Sequence, residues 1–294
     1  MTPTTTTRAA AEERAAMLIE ALPYIQRFRD RTIVVKFGGN AMVDPALATS
    51  FAEDVVLMRS VGLRPVVVHG GGPQISELME RLGMVPEFVD GHRVTDAETI
   101  DVARMVLVGK VNREIVAAIN LHGPLAVGVS GEDAGLIRAE ARHPDLGFVG
   151  DVHTINPAIL ERLLAEDLIP VVSTIGSDAS GQAYNINADA VAGALATSLD
   201  AEKVIYLTDV EGLLADVADP SSLISHIEAP ALQSLVDDGR LTGGMIPKIT
   251  ACLEAVANGV GSAHLLDGRV PHVVLLELFS DAGVGTMIVP EEGA

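Results

Sequence analysis

Residues 32–40 read TIVVKFGGN, and residues 65–73 read PVVVHGGGP. Each stretch is a short run rich in β-branched residues that ends in glycines. Each is followed by a longer amphipathic segment, 45–61 after the first and 73–82 after the second. Buried strands that alternate with helices over short connections are typical of βαβ units. The sequence therefore predicts an α/β fold, a three-layer αβα sandwich with a largely parallel central sheet.

The same alternation continues along the rest of the chain. Thr95-Asp96-Ala97-Glu98 has the spacing of a capping box, which predicts two successive helices from there to about residue 121. Apolar runs and their periodicity predict strands at 125–129, 136–140, 149–153, 169–175, 203–208 and 286–289, and helices at 187–198, 231–237 and 244–257.

The N-terminal segment precedes this pattern. Residues 10–29 carry apolar side chains at the spacing of one helical face, and Pro23 predicts a kink in that helix. We interpret the threonine-rich residues 1–9 as a disordered tail. The predicted units are the tail with its helix, an N-terminal lobe and a C-terminal lobe: residues 1–29, 30–178 and 179–294.

Composition disfavours several functional classes. Forty acidic and twenty basic side chains give a formal net charge of −20, which repels nucleic acid and anionic membranes. The single cysteine, Cys252, excludes an intramolecular disulfide and a cysteine-rich zinc site, and favours a reducing compartment, so we expect a cytoplasmic protein. No apolar run reaches the roughly 18 to 20 residues needed to span a bilayer.

Both glycine segments are predicted at the carboxyl ends of parallel strands, where α/β sheets bind ligands. Glycine lets the backbone approach a ligand closely, and the helix that follows offers free N–H groups to an anion. Two tight turns between strand and helix would also account for these glycines. Neither a Walker A motif nor a complete G-x-G-x-x-G fingerprint occurs, which disfavours P-loop NTPases and dinucleotide-binding dehydrogenases.

Lysine is scarce, and its placement is informative. The chain has four lysines, and two of them lie beside glycine-rich turns: Lys36 before Gly38-Gly39, and Lys248 after Gly243-Gly244. A site for two anions in so acidic a protein must concentrate positive charge locally, and phosphoryl transfer depends mainly on such neutralisation. The alternative is a pair of solvated surface lysines.

Two further segments carry polar side chains at predicted helix starts. In Asn185-Ile186-Asn187-Ala188-Asp189, one asparagine could cap the helix, while Asp189 could either hold a catalytic lysine or favour the helix dipole. In Gly91-His92-Arg93-Val94-Thr95, the guanidinium of Arg93 could grip a substrate carboxylate as a bidentate fork. A surface arginine is the simpler alternative for Arg93.

Taken together, the two glycine segments, the Arg93 segment, the double-asparagine segment and Gly244-Met245-Ile246-Pro247-Lys248 resemble the ordered motifs of the acetylglutamate kinases, within the amino acid kinase family. The resemblance covers roughly residues 30 to 290. It implies transfer of the ATP γ-phosphoryl group to the side-chain carboxylate of N-acetyl-L-glutamate. Because that carboxylate is already ionised, His69 is not needed as a general base, and we expect it to be structural.

The resemblance also implies roles for individual residues. Mg²⁺ would enter with ATP, bound by phosphates and water and not by protein side chains. The implied catalytic residues are Lys36, Lys248 and Asp189; the substrate-binding residues are Gly71, Gly72, Arg93, Asn185 and Asn187; and the nucleotide-binding residues are Gly38, Gly39, Thr208, Asp209 and Gly212.

Some members of this family form ring-shaped homohexamers, trimers of dimers interlaced by an N-terminal helix, and are inhibited by L-arginine. The helix predicted at residues 10–29 resembles that element. The stretch 262–287 resembles the C-terminal signature of the arginine-sensitive members, which implies an arginine site that includes His264, Gly268, Glu277 and Gly283. A plain strand-and-helix packing unit is the alternative interpretation of 262–287.

Two other functions remain open on the sequence alone. A kinase of the acetylated aminoadipate, which is one carbon longer, would need almost the same pocket, because one methylene changes binding by only about 1 to 3 kcal/mol. A catalytically idle nucleotide or arginine sensor is disfavoured because Lys36, Lys248 and Asp189 are all retained.

Overall fold

A central sheet of mostly parallel strands organises the chain. The structure, a computed structural model, describes residues 8–216, 219–241, 245–281 and 283–291. The strands are β1 Thr32–Phe37, β2 Arg64–His69, β3 Phe88–Val89, β4 His92–Arg93, β5 Ala126–Ser130, β6 Ile137–Ala141, β7 Val149–Ile155, β8 Ile169–Ser173, β9 Ile175–Ser177, β10 Ala183–Ile186, β11 Lys203–Thr208, β12 His226–Glu228, β13 Ser262–Asp267 and β14 Gly285–Val289.

Helices flank these strands along the whole chain. They are α1 Arg8–Phe28, α2 Pro45–Ser60, α3 Gly72–Arg81, α4 Ala97–Arg104, α5 Asn112–Asn120, α6 Ala158–Ala165, α7 Ala188–Ser198, α8 Ala229–Asp237, α9 Met245–Ala257 and α10 Val273–Phe279. A π-helical turn, Met105–Val111, joins α4 directly to α5, so the two predicted successive helices form one nearly continuous segment.

In the described part of the chain, eight strands form the main sheet in the order β12-β14-β13-β11-β1-β2-β8-β5. Six of them run parallel, and β14 and β12 run in the opposite direction. One half of the sheet comes from residues 32–173 and the other half from residues 203–289. The predicted lobe boundary near residue 178 lies between β9 and β10, outside this sheet, and stays a prediction.

Alternate residues of β1 face opposite helical layers. Ile33, Val35 and Phe37 pack in a cluster with side chains of α2, α5 and α10, whereas Val34 packs in a second cluster with α6, α7 and α9. The two clusters confirm the predicted αβα layers. Lys36 has the same parity as Val34 along β1, so its side chain points towards α7.

Two predicted boundaries were wrong for physical reasons. The predicted strand 169–175 is broken at Thr174: β8 stays in the main sheet, while β9 joins β6, β7 and β10 in a small closed barrel. Both pieces are apolar and buried, so periodicity gave no sign of the break. The helix cap is Asp96, whose carboxylate accepts from the Thr99 N–H, while Thr95 donates its hydroxyl to the Arg93 carbonyl.

Helix α1 occupies the predicted N-terminal segment and continues through Pro23. Residues 8 and 9 belong to this helix and not to the predicted tail, of which residues 1–7 lie outside the described range. The helix packs against α10, and the Tyr24 hydroxyl hydrogen-bonds Asp281. Among the described residues, no helix has the length and apolar character that a bilayer crossing requires.

The start of α10 is attached to α2 through a buried carboxylate. The His272 Nδ1 lies 2.6 Å from Asp54 Oδ1, and Asp54 is only 1% exposed. Burial raises the pKa of Asp54 from its ordinary value of 3.8 to about 6, although the hydrogen bond from His272 opposes this effect. Between those two pKa values the folded state binds more protons than the unfolded chain, so the free energy of unfolding falls as the pH rises.

We therefore expect Asp54→Asn to stabilise the protein at pH 7.5 by at most about 3 kcal/mol, the free-energy equivalent of that pKa difference. Near pH 4 the carboxyl is already neutral, and the gain should vanish. Urea unfolding at both pH values measures this, with Glu53→Gln, an exposed carboxylate near the same imidazole, as the matched control. If the Asp54→Asn protein were less stable than wild type at pH 7.5, the assignment would be contradicted.

Candidate active site

The carboxyl ends of β1, β2 and β11 meet at one edge of the sheet, because these three strands are parallel neighbours. A cavity of about 260 Å³ opens there. It is lined by both predicted glycine segments, including Lys36, and by polar and charged side chains from β4, β10 and the start of α7. The residues are Lys36, Gly38, Gly39, Gly70, Gly71, Gly72, Arg93, Asn185, Asn187 and Asp189.

Two lysines from opposite halves of the chain share one carboxylate at this edge. Lys36 Nζ lies 3.1 Å from Asp189 Oδ1, and Lys248 Nζ lies 2.7 Å from Asp189 Oδ2. The side chains of Lys36 and Asp189 are about nine-tenths buried, and Lys248 reaches them from the first turn of α9. The glycines that precede Lys248, residues 243 and 244, lie outside the described residues.

Burial and neighbouring charges shift the pKa values of both Asp189 and Lys36 downward. Burial alone would raise the pKa of Asp189, but the two ammonium groups hold it below its ordinary value. Burial lowers the pKa of Lys36, and the Asp189 carboxylate opposes that effect. The cluster thus concentrates two cations around one anion in a protein with a net charge of −20.

Asp189 owes its position to the start of α7. Asn187 caps that helix, since its side-chain oxygen accepts from the N–H groups of Asp189, at 2.8 Å, and Ala190, at 3.2 Å. Asn187 therefore does the capping, and it also lines the cavity. Asn185 lies two residues earlier on β10 and faces the same cavity.

Arg93 is buried beside the cavity and held by several contacts. Its Nη2 donates to the Gly72 carbonyl and to the Ser76 hydroxyl, both at 2.8 Å, and its guanidinium lies 4.7 Å above the ring of Phe88. The strands β3 and β4 that carry Phe88 and Arg93 are joined by Asp90-Gly91, both with positive φ. This dipeptide is a strong signal for a tight hairpin, and sequence reasoning missed it.

Close approach explains three of the glycines at this edge. A Cβ on Gly38 would lie 2.6 Å from Lys36 Nζ, and one on Gly71 would lie 2.7 Å from Leu107 Cδ2. Gly39 has a φ of +66°, and a Cβ there would lie 2.6 Å from Asp209 Oδ1. The close approach of Gly39 to Asp209 places the segment after β11 against the segment after β1.

The predicted nucleotide segment borders a second, apolar cavity of about 310 Å³. Gly212 lines it, whereas Thr208 is buried at the end of β11, where its hydroxyl donates to the Val210 carbonyl. Sequence reasoning missed most of the apolar lining, because an apolar run gives no sign of whether it faces a core or a cavity. The missed residues are Leu213, Leu214, Ile224, Leu235, Leu241 and Met245.

The four residues of the predicted arginine site do not lie together: His264 and Glu277 are in contact, and Gly268 and Gly283 lie elsewhere. His264 Nδ1 lies 2.9 Å from Glu277 Oε1, and His264 Nε2 lies 2.9 Å from Lys203 Nζ, in a buried cluster beneath Phe28. Gly268 instead follows the carboxyl end of β13, packed against Ala41 and Thr208. Gly283 lies just before β14, where its N–H donates to the Asp281 carbonyl and its α-carbon faces Ser225.

Other residues that line the first cavity were also missed from the sequence. Gln74, Phe88, Leu107 and Val149 all line it. The last three are single apolar positions, which carry no signal that separates them from the core, and a lone glutamine gives no sign that it faces a cavity. His69 agrees with its structural interpretation: it is completely buried, and both ring nitrogens have partners. No group of three His, Cys, Asp or Glu side chains among the described residues is placed to hold a metal ion.

Comparison with known proteins agrees with this geometry. Residues 31–267 match the amino acid kinase family. Acetylglutamate kinases from Symbiobacterium thermophilum and Acidothermus cellulolyticus are 53% and 54% identical to the chain, over 95% and 96% of its length and 98% of theirs.

Solved structures share the fold. An N-acetylglutamate synthase from Neisseria gonorrhoeae, in complex with coenzyme A and N-acetyl-glutamate, matches 94% of the chain with a TM-score of 0.81 and 27% identity. The chain spans 63% of the length of that synthase. A carbamate kinase from Giardia lamblia bound to AMP-PNP matches 89% of the chain and 99% of its own length, with a TM-score of 0.65 and 17% identity.

Proposed function

The chain belongs to the amino acid kinase family, and from that membership we infer that it phosphorylates the side-chain carboxylate of N-acetyl-L-glutamate in arginine biosynthesis. ATP donates the γ-phosphoryl group, and the products are an acyl phosphate and ADP. The observation that carries this function is the pair of lysines on Asp189, at an edge lined by two glycine segments.

The chain's residues act mainly by positioning and by neutralising charge. The acceptor carboxylate attacks the γ-phosphorus in line while the bond to the bridging oxygen breaks, so negative charge spreads over the transferred group. Lys36 and Lys248 stabilise that charge, and Asp189 keeps both ammonium groups oriented. No general base is required, since the acceptor is already ionised at neutral pH.

Acetylglutamate occupies the first cavity in this proposal. Both N–H groups of Arg93 Nη2 already donate, to the Gly72 carbonyl and the Ser76 hydroxyl, and Nη1 contacts the Met79 sulfur. The Nε–H and one Nη1 N–H remain for the substrate α-carboxylate. They lie on different edges of the guanidinium, so a bidentate fork requires Nη2 to give up one of its protein bonds. Gly71 and Gly72 present backbone N–H groups to the acceptor end, and Asn185 lies between the two ends. Asn187 contributes its side-chain amide next to the cap that it makes.

ATP extends from this edge to the second cavity. Gly38 and Gly39 lie against its γ-phosphate, Thr208, Asp209 and Gly212 adjoin the rest of the nucleotide, and the apolar cavity beside Gly212 suits the adenine ring. Mg²⁺ would enter with the phosphates and not on protein side chains, and it would lower the charge that the lysines must neutralise.

Trapping the product with hydroxylamine tests the function. Purified protein, ATP and Mg²⁺ should give a hydroxamate that depends on N-acetyl-L-glutamate. N-acetyl-L-aminoadipate is the matched control, and its kcat/KM should be lower by about 10- to 200-fold, the usual discrimination for one methylene. A preference for the longer acid would identify the aminoadipate kinase instead, and ATP binding without any hydroxamate would identify an idle sensor.

Inhibition by L-arginine forms part of the proposal. The Glu277 carboxylate suits a guanidinium, and it lies on α10, the helix that packs against α1. His264 holds the Glu277 carboxylate in place. Gly268 and Gly283 lie apart from this pair, so we do not assign them a contact with arginine. Adding L-arginine to the hydroxamate assay should suppress the signal. Unchanged activity at saturating arginine would exclude inhibition by arginine.

A homohexamer, a trimer of dimers, is proposed from the exposure of α1. Met17, Leu18 and Ile19 are 57%, 70% and 68% exposed, which favours their coverage by a second copy of the chain. Deleting residues 1–29 should give a particle with fewer subunits in light scattering, while deleting only residues 1–7 should leave the number of subunits unchanged. An equal number of subunits with and without α1 would exclude the helix from the assembly.

The remaining parts of the proposal concern location and partners. The net charge of −20 disfavours nucleic acid and anionic membranes as partners. A cytoplasmic location is supported by the use of ATP and by a single cysteine, Cys252, that is a free buried thiol.

A further inference from the structure

Beneath the triple glycine, a chain of buried polar groups leads from Arg113 to the backbone of Gly70. Asn112 Nδ2 lies 3.1 Å from His69 Nε2 and 2.8 Å from the Val171 carbonyl oxygen. His69 Nδ1 lies 2.9 Å from the Gly70 carbonyl oxygen. His69 and Asn112 are both fully buried, so the bonds from Asn112 to His69 and to Val171 do not compete with water, whereas the bond to the Gly70 carbonyl is part-buried.

The partners at the two ends fix the direction of every bond in this chain. The Arg113 guanidinium can only donate, so it bonds the oxygen of the Asn112 amide and turns the amide nitrogen towards His69. A carbonyl can only accept, so the Asn112 nitrogen donates to Val171. Its other hydrogen goes to His69 Nε2, which must then be the unprotonated nitrogen of a neutral ring.

The hydrogen of the His69 ring therefore sits on Nδ1 and is donated to the Gly70 carbonyl. Burial lowers the pKa of His69 to about 4, in agreement with a neutral ring at physiological pH. Which ring nitrogen carries the proton is thus set by the bond that the other nitrogen makes.

Holding this carbonyl controls where the next N–H points. In a planar trans peptide, the C=O and the N–H point in opposite directions. His69 is paired in register with Phe37 and shares its face of the sheet, the α5 side, whereas Lys36 and Asp189 lie on the α7 side. Fixing the Gly70 oxygen on the α5 side therefore sends the Gly71 N–H towards the cavity.

The π-helical turn supports the same segment from behind. Leu107 and Val111 of Met105–Val111 leave no room for a side chain on Gly71, and Asn112 follows this turn directly. π-helical turns are rare in proteins as a whole, and many of those that occur lie at functional sites. Within the described residues, the Gly71 N–H has no recorded hydrogen-bond acceptor, as expected for a donor reserved for a ligand.

We propose that His69 and Asn112 are positioning residues, which hold the Gly70 carbonyl on the α5 side of the sheet and thereby aim the Gly71 N–H at the acceptor carboxylate. This inference rests on the proposed kinase function. If the peptide flipped, it would present a carbonyl oxygen to the carboxylate in place of a donor. Both residues therefore act on turnover without contacting the substrate.

Two substitutions separate this role from simple packing. In His69→Asn, the amide nitrogen takes the place of Nδ1 and still donates to Gly70, but the bond to Asn112 is lost. In His69→Gln, the side-chain oxygen takes the place of Nε2 and accepts from Asn112, but no donor faces Gly70. The Gln variant should lose about 100-fold in kcat/KM for acetylglutamate, the low end of the cost of one preorganised donor.

The Asn variant should keep most of its activity, and KM for ATP should change little in both variants. A packing role predicts the opposite order, since Asn leaves the larger void and an unpaired Asn112 amide. Thermal unfolding of both variants shows whether they fold. Equal losses, or a greater loss in the Asn variant, would overturn the proposal.

A measurement on the wild-type protein tests the direction of these hydrogen bonds without any substitution. Nitrogen NMR of labelled histidine should show His69 as the neutral tautomer with its proton on Nδ1, and a proton on Nε2 would overturn the proposal. If wild-type protein formed no hydroxamate, the proposed kinase function would be rejected instead. Failure of the positioning proposal and failure of the kinase proposal are therefore distinguishable.

Discussion

Replacing Lys36 by Met should lower kcat by about 100- to 1,000-fold, the usual cost of losing one preorganised group that stabilises transition-state charge. Met keeps the length and apolar stem of the side chain, which is packed against Gly38, and removes only the ammonium. Because the charge on the transferred group is redistributed mainly in the transition state, KM for ATP and for acetylglutamate should change far less than kcat.

The matched control for this substitution is Lys110→Met. Lys110 is half exposed and forms a loose surface pair with Glu77 at 3.7 Å, so its removal should leave kcat and both KM values unchanged. Steady-state kinetics of the two variants provide the comparison. If Lys36→Met raised KM at constant kcat, the lysine would contribute to ground-state binding and not to the transition state.

Asp189→Asn should affect both activity and stability. The change leaves two ammonium groups around a neutral amide, and removing one partner of a buried ion pair typically costs about 3 to 5 kcal/mol when the remaining charge stays buried. Loss of the carboxylate also removes the group that opposes the lowering of the Lys36 pKa by burial. At a given pH, a larger fraction of Lys36 should therefore lose its proton than in the wild-type protein.

The pH dependence of this variant has a definite sign. Lower pH returns the proton to Lys36, so kcat/KM of Asp189→Asn, relative to wild type, should rise as the pH falls from 8 to 6. Asp151→Asn, at a half-exposed pair with Arg142, is the control and should show no such trend. If Asp189→Asn kept the wild-type kcat/KM at pH 7.5, the carboxylate of Asp189 would not be needed to orient the lysines.

The elements of the fold were predictable where local chemistry and tertiary structure agree. β1 and β11 have the predicted bounds, since β-branched runs that end at glycine or threonine have few alternative conformations. The π-helical turn after α4 was not predictable, because the phase slip of about 100° that one extra residue causes cannot be told, in so short a segment, from ordinary irregularity in apolar periodicity. The small barrel that contains β9 was missed for a similar reason, because its strands are short and apolar.

The site residues also fall into two groups: those that local sequence could identify and those that it could not. Lys36 and Lys248 were identified because lysine is scarce and both lie beside glycines, and Asp189 because it follows two asparagines at a helix start. Nothing in local sequence indicates that Asn112 bonds His69, since they come from different elements and meet only through the packing of α5 on the sheet. The same holds for the pairing of His264 with Glu277.

The central position of β1 also affects how the chain is made on the ribosome. Residue 33 pairs with residue 65 on one side and with residue 203 on the other, so β1 gains its second neighbour only after most of the chain has been synthesised. Until then the nascent chain carries both glycine segments and Arg93, but an edge of β1 offers unpaired N–H and C=O groups to other chains. Late pairing of this kind slows folding and leaves the growing polypeptide dependent on chaperones or on dilution.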